Sequence, residues 1–203
     1  MVMSLRQQNF QNRKEKILAM AECLLLDNHQ DITLNELAAE LDIAKGTIYK
    51  HFKSKNQLYL ELIILNETRL LKLSQQYKHD MQTYVSQYML YNLLNSNRTI
   101  LLHVLEERLT NNERHLKEFF EQLYQIREQR ILEIKEITRE YLHYLQSDMS
   151  IRDYLSYIWT VTYGACLLLN STYYQKSIGS RDRLIHLYVQ QALMTTQKSV
   201  SIS

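Results

Sequence analysis

The sequence predicts an all-α protein, and three observations support that prediction. Its 203 residues include no proline and only three glycines, whereas strand-rich and doubly wound folds need both at turns and phosphate-binding loops. Apolar residues recur along most of the chain at i, i+3 and i+4, the spacing of an amphipathic helix. Hydrophobic residues make up 45% and charged residues 23% of the chain, which is typical of a globular protein and excludes wholesale disorder.

Apolar stripes and N-cap residues predict about nine helices. Capping boxes are indicated at Thr33-Leu-Asn-Glu36 and Ser54-Lys-Asn-Gln57, because each pair of side chains can satisfy two backbone N–H groups at a helix start. Ser150 marks a further helix start, and Asp42-Ile43 predicts a tight turn. The predicted helices cover about residues 12–27, 33–41, 44–51, 54–78, 82–95, 99–109, 112–146, 151–169 and 181–196, with a loop over 171–179.

A break near residues 53–55 divides the chain into two predicted domains. Residues 1–55 form a compact three-helix head that we expect to be a helix-turn-helix domain. Residues 56–203 form a larger helical domain, and the helix over 54–78 links the two.

Several features indicate a soluble protein. The N-terminal segment lacks the apolar core of a signal peptide, and the most apolar stretch, residues 157–169, is too short to span a bilayer. Cys23 and Cys166 lie in separate apolar runs, which predicts two buried thiols rather than a disulfide or a metal-binding pair. We therefore expect a cytoplasmic protein that has no membrane partner and no cofactor or bound metal.

A short basic segment carries the main functional signal. From Ala44 to Lys55 the chain has four lysines, His51 and no acid, whereas residues 27–42 contain five acids and no Lys or Arg. In a chain whose net charge is only +2, such a segment forms a local electropositive patch suited to phosphate. Two short helices joined by a tight turn, with the second helix basic, predict a helix-turn-helix whose second helix enters the DNA major groove.

The residue types in this segment suit contact with DNA. Gly46 has no Cβ, so a phosphate can approach the backbone closely, while Thr47 and Tyr49 offer hydroxyls and apolar surface to base edges. Lys45 can reach bases or phosphate, and Thr33 stands at a helix N-terminus, where exposed N–H groups favour an anion. The predicted DNA contacts are Thr33, Lys45, Gly46, Thr47, Tyr49, Lys50, His51 and Lys55.

The segment ITLNELAAELDIAKGTIYKHFKSKNQLYLELI, residues 32–63, strongly resembles the DNA-binding head of the TetR family of bacterial transcriptional regulators. The likeness covers about residues 12–63 and assigns the family's usual DNA contacts to the residues just given, with Lys50 at a position that varies in the family. It implies an Ω-shaped all-α homodimer that is most often a repressor. Such a regulator binds a pseudo-palindromic double-stranded DNA operator and changes its DNA affinity when a small-molecule effector binds the C-terminal domain.

The same resemblance implies dimerisation through the last two helices of the chain. Small residues in the first of these helices permit close approach of a partner helix, and an isologous four-helix interface would follow. The expected interface residues are Tyr157, Gly164, Ala165, Leu168, Leu184, Tyr188 and Ala192.

Tyrosines are concentrated in the C-terminal domain, where 12 of the 15 follow residue 80. Tyr84, Tyr88 and Tyr91 share one helix face, and a tyrosine combines an apolar body with one polar tip, which suits a ligand pocket. For any one of these tyrosines, filling core space is the favoured interpretation. Our hypothesis is that some of five residues line an effector pocket: Tyr88, Tyr91, Tyr124, Tyr141 and Trp159.

Two other functions stay open at this point. Glu140-x-x-His143 has the spacing found in ferritin-like di-iron bundles, but those sites need a second such pair and two more glutamates. A metal-dependent helical-bundle enzyme would carry stoichiometric metal, and a protein-contact module would show no salt-dependent DNA binding. Neither alternative explains why a basic helix follows a capped helix at this spacing.

Overall fold

The computed structural model describes residues 4–28, 31–110, 116–177 and 180–194, which form ten α-helices and no strand. The helices are α1 (Leu5–Asn28), α2 (Leu34–Glu40), α3 (Lys45–Tyr49), α4 (Lys55–Gln76), α5 (Met81–Leu94), α6 (Ser96–Thr110), α7 (Lys117–Tyr144), α8 (Ile151–Asn170), α9 (Thr172–Ser177) and α10 (Arg181–Met194). The predicted all-α class is confirmed. None of the described helices combines the length and apolarity that a bilayer crossing requires.

Two helices differ clearly from the sequence prediction. α1 starts at Leu5 instead of near residue 12, because a capping box precedes it: the Gln7 N–H donates to Ser4 Oγ at 3.3 Å, and the Ser4 N–H donates to Gln7 Oε1 at 2.9 Å. The predicted loop over 171–179 contains α9, whose Tyr173 and Tyr174 are exposed, so no apolar stripe marked it. The helix ends predicted near residues 112 and 196 lie outside the described residues.

Of the two predicted capping boxes, the first is confirmed and the second differs in one bond. The Glu36 N–H donates to Thr33 Oγ1 at 3.1 Å, and the Thr33 N–H donates to Glu36 Oε2 at 2.8 Å. At the start of α4 the Gln57 N–H donates to Ser54 Oγ at 3.1 Å, but Gln57 Oε1 accepts from the Lys53 N–H at 2.9 Å instead of from Ser54. Both helix starts are therefore fixed by their own side chains.

The chain folds as two compact units. The first unit comprises the residues up to Leu65 together with Val104–Gln122, and the second comprises Asn66–His103 and the residues from Leu123 onward. In the first unit α2 packs against both α1 and α3. Its buried apolar residues include Ile17, Leu18, Ala21, Leu25, Ile32, Leu34, Leu37, Ala38, Ile48, Phe52, Leu58 and Leu62.

In the second unit, α5, α8 and α10 pack against one another. Ser150 caps α8 as predicted, since its Oγ accepts from the Asp153 N–H at 3.1 Å. Cys166 lies buried in the core of this unit, and burial raises the pKa of its thiol to about 12. Cys23 is exposed on α1 of the first unit, so the expectation of two buried thiols is wrong for this residue.

The turn between α2 and α3 is a Schellman motif. Asp42 has a φ of 50°, in the left-handed region. The Ile43 N–H donates to the Ala38 carbonyl at 3.0 Å and the Asp42 N–H donates to the Ala39 carbonyl at 3.1 Å, which satisfies carbonyls at the end of α2. The tight turn predicted at Asp42-Ile43 is confirmed, and it directs the chain into α3.

Asp42→Gly should raise the free energy of unfolding by about 0.5–1 kcal/mol, because glycine adopts a positive φ without the steric cost that a Cβ imposes. Urea unfolding followed by circular dichroism measures the change. Glu40→Gly, at the last residue of α2, is the matched control and should lower stability by about the same amount. Equal losses in both variants would show that the left-handed conformation at Asp42 carries no strain.

Candidate DNA-binding site

Two apolar side chains on one face anchor the short helix α3 to the core of the first unit. Ile48 and Phe52 are buried in the core of the first unit, 0% and 1% exposed. The Ile48 carbonyl accepts from the Phe52 N–H at 3.0 Å and from the His51 N–H at 2.9 Å, which carries the turn beyond the end of α3. These contacts fix the orientation of the helix and leave its opposite side facing outward.

The outward side of α3 is a basic and aromatic surface. Lys45, Gly46, Lys50 and Tyr49 are exposed, Tyr49 by 49%, and Thr47 is half-buried beside them. We call these five residues the recognition surface. The sequence has no acid between Asp42 and Glu61, so no carboxylate of this segment offsets its charge.

Gly46 has no packing role within the described part of the chain. A Cβ built at this position would meet no atom within 4 Å, and its φ is not in the left-handed region. The fold therefore does not require glycine here. Because glycine has no side chain, a phosphate could approach the backbone closely on the exposed side of α3.

Lys55 does not belong to the recognition surface. Its Nζ donates to Asp31 Oδ2 at 2.6 Å and to the Ile32 carbonyl at 3.1 Å. Asp31 also accepts a hydrogen bond from the Tyr59 hydroxyl, and the Arg108 guanidinium lies 3.7 Å from its Oδ1. We call Asp31, Lys55, Tyr59 and Arg108 the Asp31 cluster. A carboxylate of the same unit thus holds the Lys55 ammonium in the structure, and the assignment of Lys55 as a phosphate contact stays a prediction.

His51 and Thr33 are also engaged within the first unit. The His51 ring lies 4.0 Å from the Phe10 ring, centroid to centroid, and its Nδ1 has no hydrogen-bond partner among the described residues. Burial lowers the pKa of His51, and the charges of Arg13 and Lys14 lower it further, so the ring is neutral at pH 7. Thr33 is exposed, but its N–H is already bonded to the Glu36 carboxylate.

Only two of the five predicted pocket residues come together. Tyr88 and Trp159 line one cleft in the second unit. The Tyr141 hydroxyl donates to the Leu193 carbonyl at 3.2 Å, and the Tyr91 hydroxyl donates to Asn66 Oδ1 at 2.8 Å. Tyr124 is exposed and lies outside the lining of this cleft.

Two of the predicted dimer residues belong to the core of a single subunit. Ala165 and Ala192 are 2% and 0% exposed and pack inside the second unit, so their side chains cannot meet a partner. Gly164 is exposed, and the other predicted positions are partly exposed and remain accessible: Tyr157, Leu168, Leu184 and Tyr188.

The metal alternative gains no support from side-chain placement. Glu140 and His143 are both exposed on α7. Across the described ranges, no group of three or more His, Cys, Asp or Glu residues is arranged to hold a metal ion.

A capped helix, a left-handed turn and an exposed basic second helix define a helix-turn-helix domain in the first unit. Comparisons with known proteins agree with this class. Residues 26–62 match the family described as bacterial regulatory proteins, tetR family. The HTH-type transcriptional regulator QacR of Staphylococcus aureus is 36% identical over 59 residues, which are 29% of this chain and 31% of QacR.

A longer match extends beyond the helix-turn-helix. The HTH-type transcriptional regulator AcrR of Shigella flexneri is 31% identical over 112 residues, 54% of this chain and 47% of AcrR. The chain thus spans less than half the length of either curated relative. A crystal structure of a tetR-family regulatory protein from Rhodococcus RHA1 shares the fold, with a TM-score of 0.63 and 16% identity over 92% of this chain and 98% of that one. Residues 26–62 thus match the tetR family, and the chain shares its fold with a tetR-family structure.

The Asp31 cluster gives a prediction about acid stability. Burial acts to raise the pKa of Asp31, but hydrogen bonds from Lys55 and Tyr59 and the charges of Lys55 and Arg108 lower it below its usual 3.8. A lowered carboxyl pKa stabilises the fold above about pH 3.8, and that stabilisation is lost as the pH falls below it. Asp31→Asn should therefore cost about 1 kcal/mol at pH 7, a modest value since the carboxylate is half exposed.

Urea unfolding of both proteins between pH 3 and pH 7 measures this effect. The two free energies should converge as the pH falls, because protonation removes the same charge from the unsubstituted protein. Asp27→Asn, an exposed acid near the end of α1, is the control and should leave stability within about 0.5 kcal/mol. A difference between the Asp31 proteins that stays constant with pH would contradict the role of the charge.

Proposed function

We propose that this protein is a sequence-specific DNA-binding transcriptional regulator that binds DNA as a homodimer and responds to a small molecule. The observation that carries the proposal is the recognition surface, which is exposed, free of acids and anchored from behind by Ile48 and Phe52. The curated relatives are both described as HTH-type transcriptional regulators, which supports a regulator rather than an enzyme. In this proposal residues 1–55 bind DNA, and residues 56–203 bind the effector and dimerise.

Each member of the recognition surface has a proposed role. Tyr49 and Thr47 meet base edges in the major groove, where a hydroxyl can hydrogen-bond and apolar atoms can contact a thymine methyl group. Lys45 and Lys50 bind base edges or phosphate, and Gly46 admits a phosphate to the backbone. Thr33 and His51 remain secondary candidates on the flanks, with His51 acting as a neutral hydrogen-bond donor.

Dimerisation is supported by the outer surface of the second unit. The sequence from residue 154 to residue 170, most of α8, contains no charged side chain, and α10 packs beside α8. Leu167 on α8 and Leu187 on α10 are exposed by 49% and 46%, and Gly164 would allow close approach of a second helix. Two helix-turn-helix domains spaced about 34–36 Å apart would read a pseudo-palindromic operator.

Regulation follows from differential binding. An effector alters DNA affinity only if it binds the DNA-competent conformation and another conformation with different affinities, and a 100-fold preference is worth about 2.7 kcal/mol. We propose that the regulator is cytoplasmic and acts as a repressor whose DNA affinity changes when the effector binds.

Selection of DNA by the full-length protein tests this function directly. Fragmented genomic DNA from the source organism is captured on purified protein at two salt concentrations, and the enriched fragments are sequenced. The proposal predicts a shared pseudo-palindrome whose recovery falls at high salt, because phosphate contacts release counterions. Recovery of random fragments at both concentrations, or of no fragments, would contradict it.

Gly46→Ala separates DNA binding from stability. Because a Cβ at this position meets no described atom, the free energy of unfolding should stay unchanged or rise by up to about 1 kcal/mol. The added methyl group should nevertheless weaken operator binding by about tenfold, a loss of about 1.4 kcal/mol, since it occupies the space that a phosphate would take.

Fluorescence anisotropy with the selected operator measures the affinity, and urea unfolding measures the stability. Cys23→Ala, an exposed change on α1 away from the recognition surface, is the control and should alter neither quantity. Unchanged operator affinity in Gly46→Ala would exclude close contact between DNA and the backbone of α3.

A further inference from the structure

The cleft that contains Tyr88 and Trp159 has the size and lining of a small-molecule site. It lies between α5, α7 and α8 of the second unit and has a volume of about 840 Å³. Ligand pockets in proteins commonly measure about 300–1,000 Å³ and combine apolar walls with a few polar groups. Apolar side chains of α7 and α8 form much of the wall, among them Ile131, Leu132, Ile151, Leu155 and Trp159.

A guanidinium in the wall of the cleft has an incomplete set of partners. The Arg130 side chain is only 16% exposed, and its Nη2 lies 3.5 Å from Glu67 Oε2, which is longer than an ordinary hydrogen bond. Glu67 Oε1 already accepts two hydrogen bonds from Arg127, each of 3.1 Å. Arg130 Nε has no hydrogen-bond partner within the described part of the chain. One buried carboxylate is thus shared by two guanidinium groups.

The charge of this group is retained in the fold. Burial acts to lower the pKa of Arg130, but the charge of Glu67 and the nearby hydroxyls of Tyr88 and Tyr84 raise it, so the guanidinium stays protonated. Its Cζ lies 5.7 Å from the centroid of the Tyr88 ring. Burial also raises the pKa of the Tyr88 hydroxyl, which therefore stays neutral and able to donate a hydrogen bond.

The remaining charged residues of the cleft are mostly basic. Lys135 and Arg152 join Arg130 in the lining, and Glu128 is the one acid among the residues described there. The lining carries three positive charges against one negative charge. A buried cation that lacks a full set of partners is costly, and an anion entering the cleft would complete them.

The indole of Trp159 is held in place at the opposite wall. It stacks on Tyr163 with the ring centroids 5.5 Å apart and the planes 8° from parallel, and Tyr163 contacts His103 edge-on at 4.7 Å. At 100° per residue, Trp159 and Leu168 lie on opposite sides of α8.

We propose that the cleft binds a small organic carboxylate with an apolar body, its carboxylate on Arg130 and Tyr88 and its body against Ile131, Leu155 and Trp159. Planar guanidinium groups bind carboxylates with matched geometry, which favours this anion at Arg130. The inference rests on the proposed function, because it names the chemical class of the effector.

The test uses three probes that share one apolar body and differ in charge: octanoate, octanamide and octylammonium. Trp159 is the only tryptophan of the chain, so the intrinsic fluorescence of the full-length protein reports on the cleft. Octanoate should shift this fluorescence saturably, with a dissociation constant at least about tenfold below that of octanamide. Octylammonium should bind more weakly than octanamide.

Variants of arginines on α7 locate the anion. Arg130→Gln should remove the preference for octanoate over octanamide, and Arg130→Lys should retain part of it because the charge remains. Arg139→Gln is the matched control, since Arg139 lies on the same helix, is exposed and is outside the cleft lining, and it should behave as the unsubstituted protein. Circular dichroism checks that each variant is folded.

The dissociation constants of the three probes for the unsubstituted protein test the proposal even if Arg130→Gln fails to fold. Octanamide or octylammonium binding as tightly as octanoate would overturn it, and so would the absence of a fluorescence change with octanoate up to millimolar concentration. These titrations contain no DNA. Carboxylate binding by a protein that selects no operator would therefore refute the DNA-binding function alone, and operator selection without octanoate binding would refute this inference alone.

Discussion

The recognition surface depends on the burial of two side chains, Ile48 and Phe52. A helix of five residues is not stable in water, because the cost of forming its first turn exceeds what so few hydrogen bonds return. α3 persists since these side chains bind it to the core of the first unit and the Schellman turn at Asp42 sets its direction. Its outward residues are therefore under no packing demand, which leaves their chemistry available for a partner.

In the second unit the position of Arg130 depends on an electrostatic contact rather than on apolar burial. Glu67 is a buried carboxylate that contacts two arginines unequally: it accepts two hydrogen bonds of 3.1 Å from Arg127, whereas Arg130 Nη2 approaches it only to 3.5 Å. Buried charges of this kind are poor sources of stability, because desolvation offsets most of their attraction. The arrangement is better understood as holding a guanidinium ready at the wall of a cleft than as strengthening the core.

The sequence was most informative where local rules apply and least informative where distant residues meet. The all-α class was readable from the absence of proline, and the Thr33 capping box and the turn at Asp42 were readable because each depends on residues a few positions apart. The pairing of Lys55 with Asp31 was not predicted, since Asp31 lies 24 residues earlier in the chain and no local pattern indicates the contact. α9 was missed because its tyrosines face solvent, so it has no apolar stripe. Ala165 was misplaced for a related reason: a small residue in an apolar helix fits a core and an interface equally well.

The ion pair between Lys55 and Asp31 has a consequence for the ions that are released when the domain binds DNA. The segment from Ala44 to Lys55 contains four lysines, but Asp31 already neutralises one of them. A count of its basic residues therefore overstates the positive charge that can displace cations bound to the DNA backbone. Each phosphate neutralised by a protein cation releases somewhat less than one bound ion. Association through this domain would therefore release fewer ions than its composition implies, which makes its complexes less sensitive to the salt concentration of the cell.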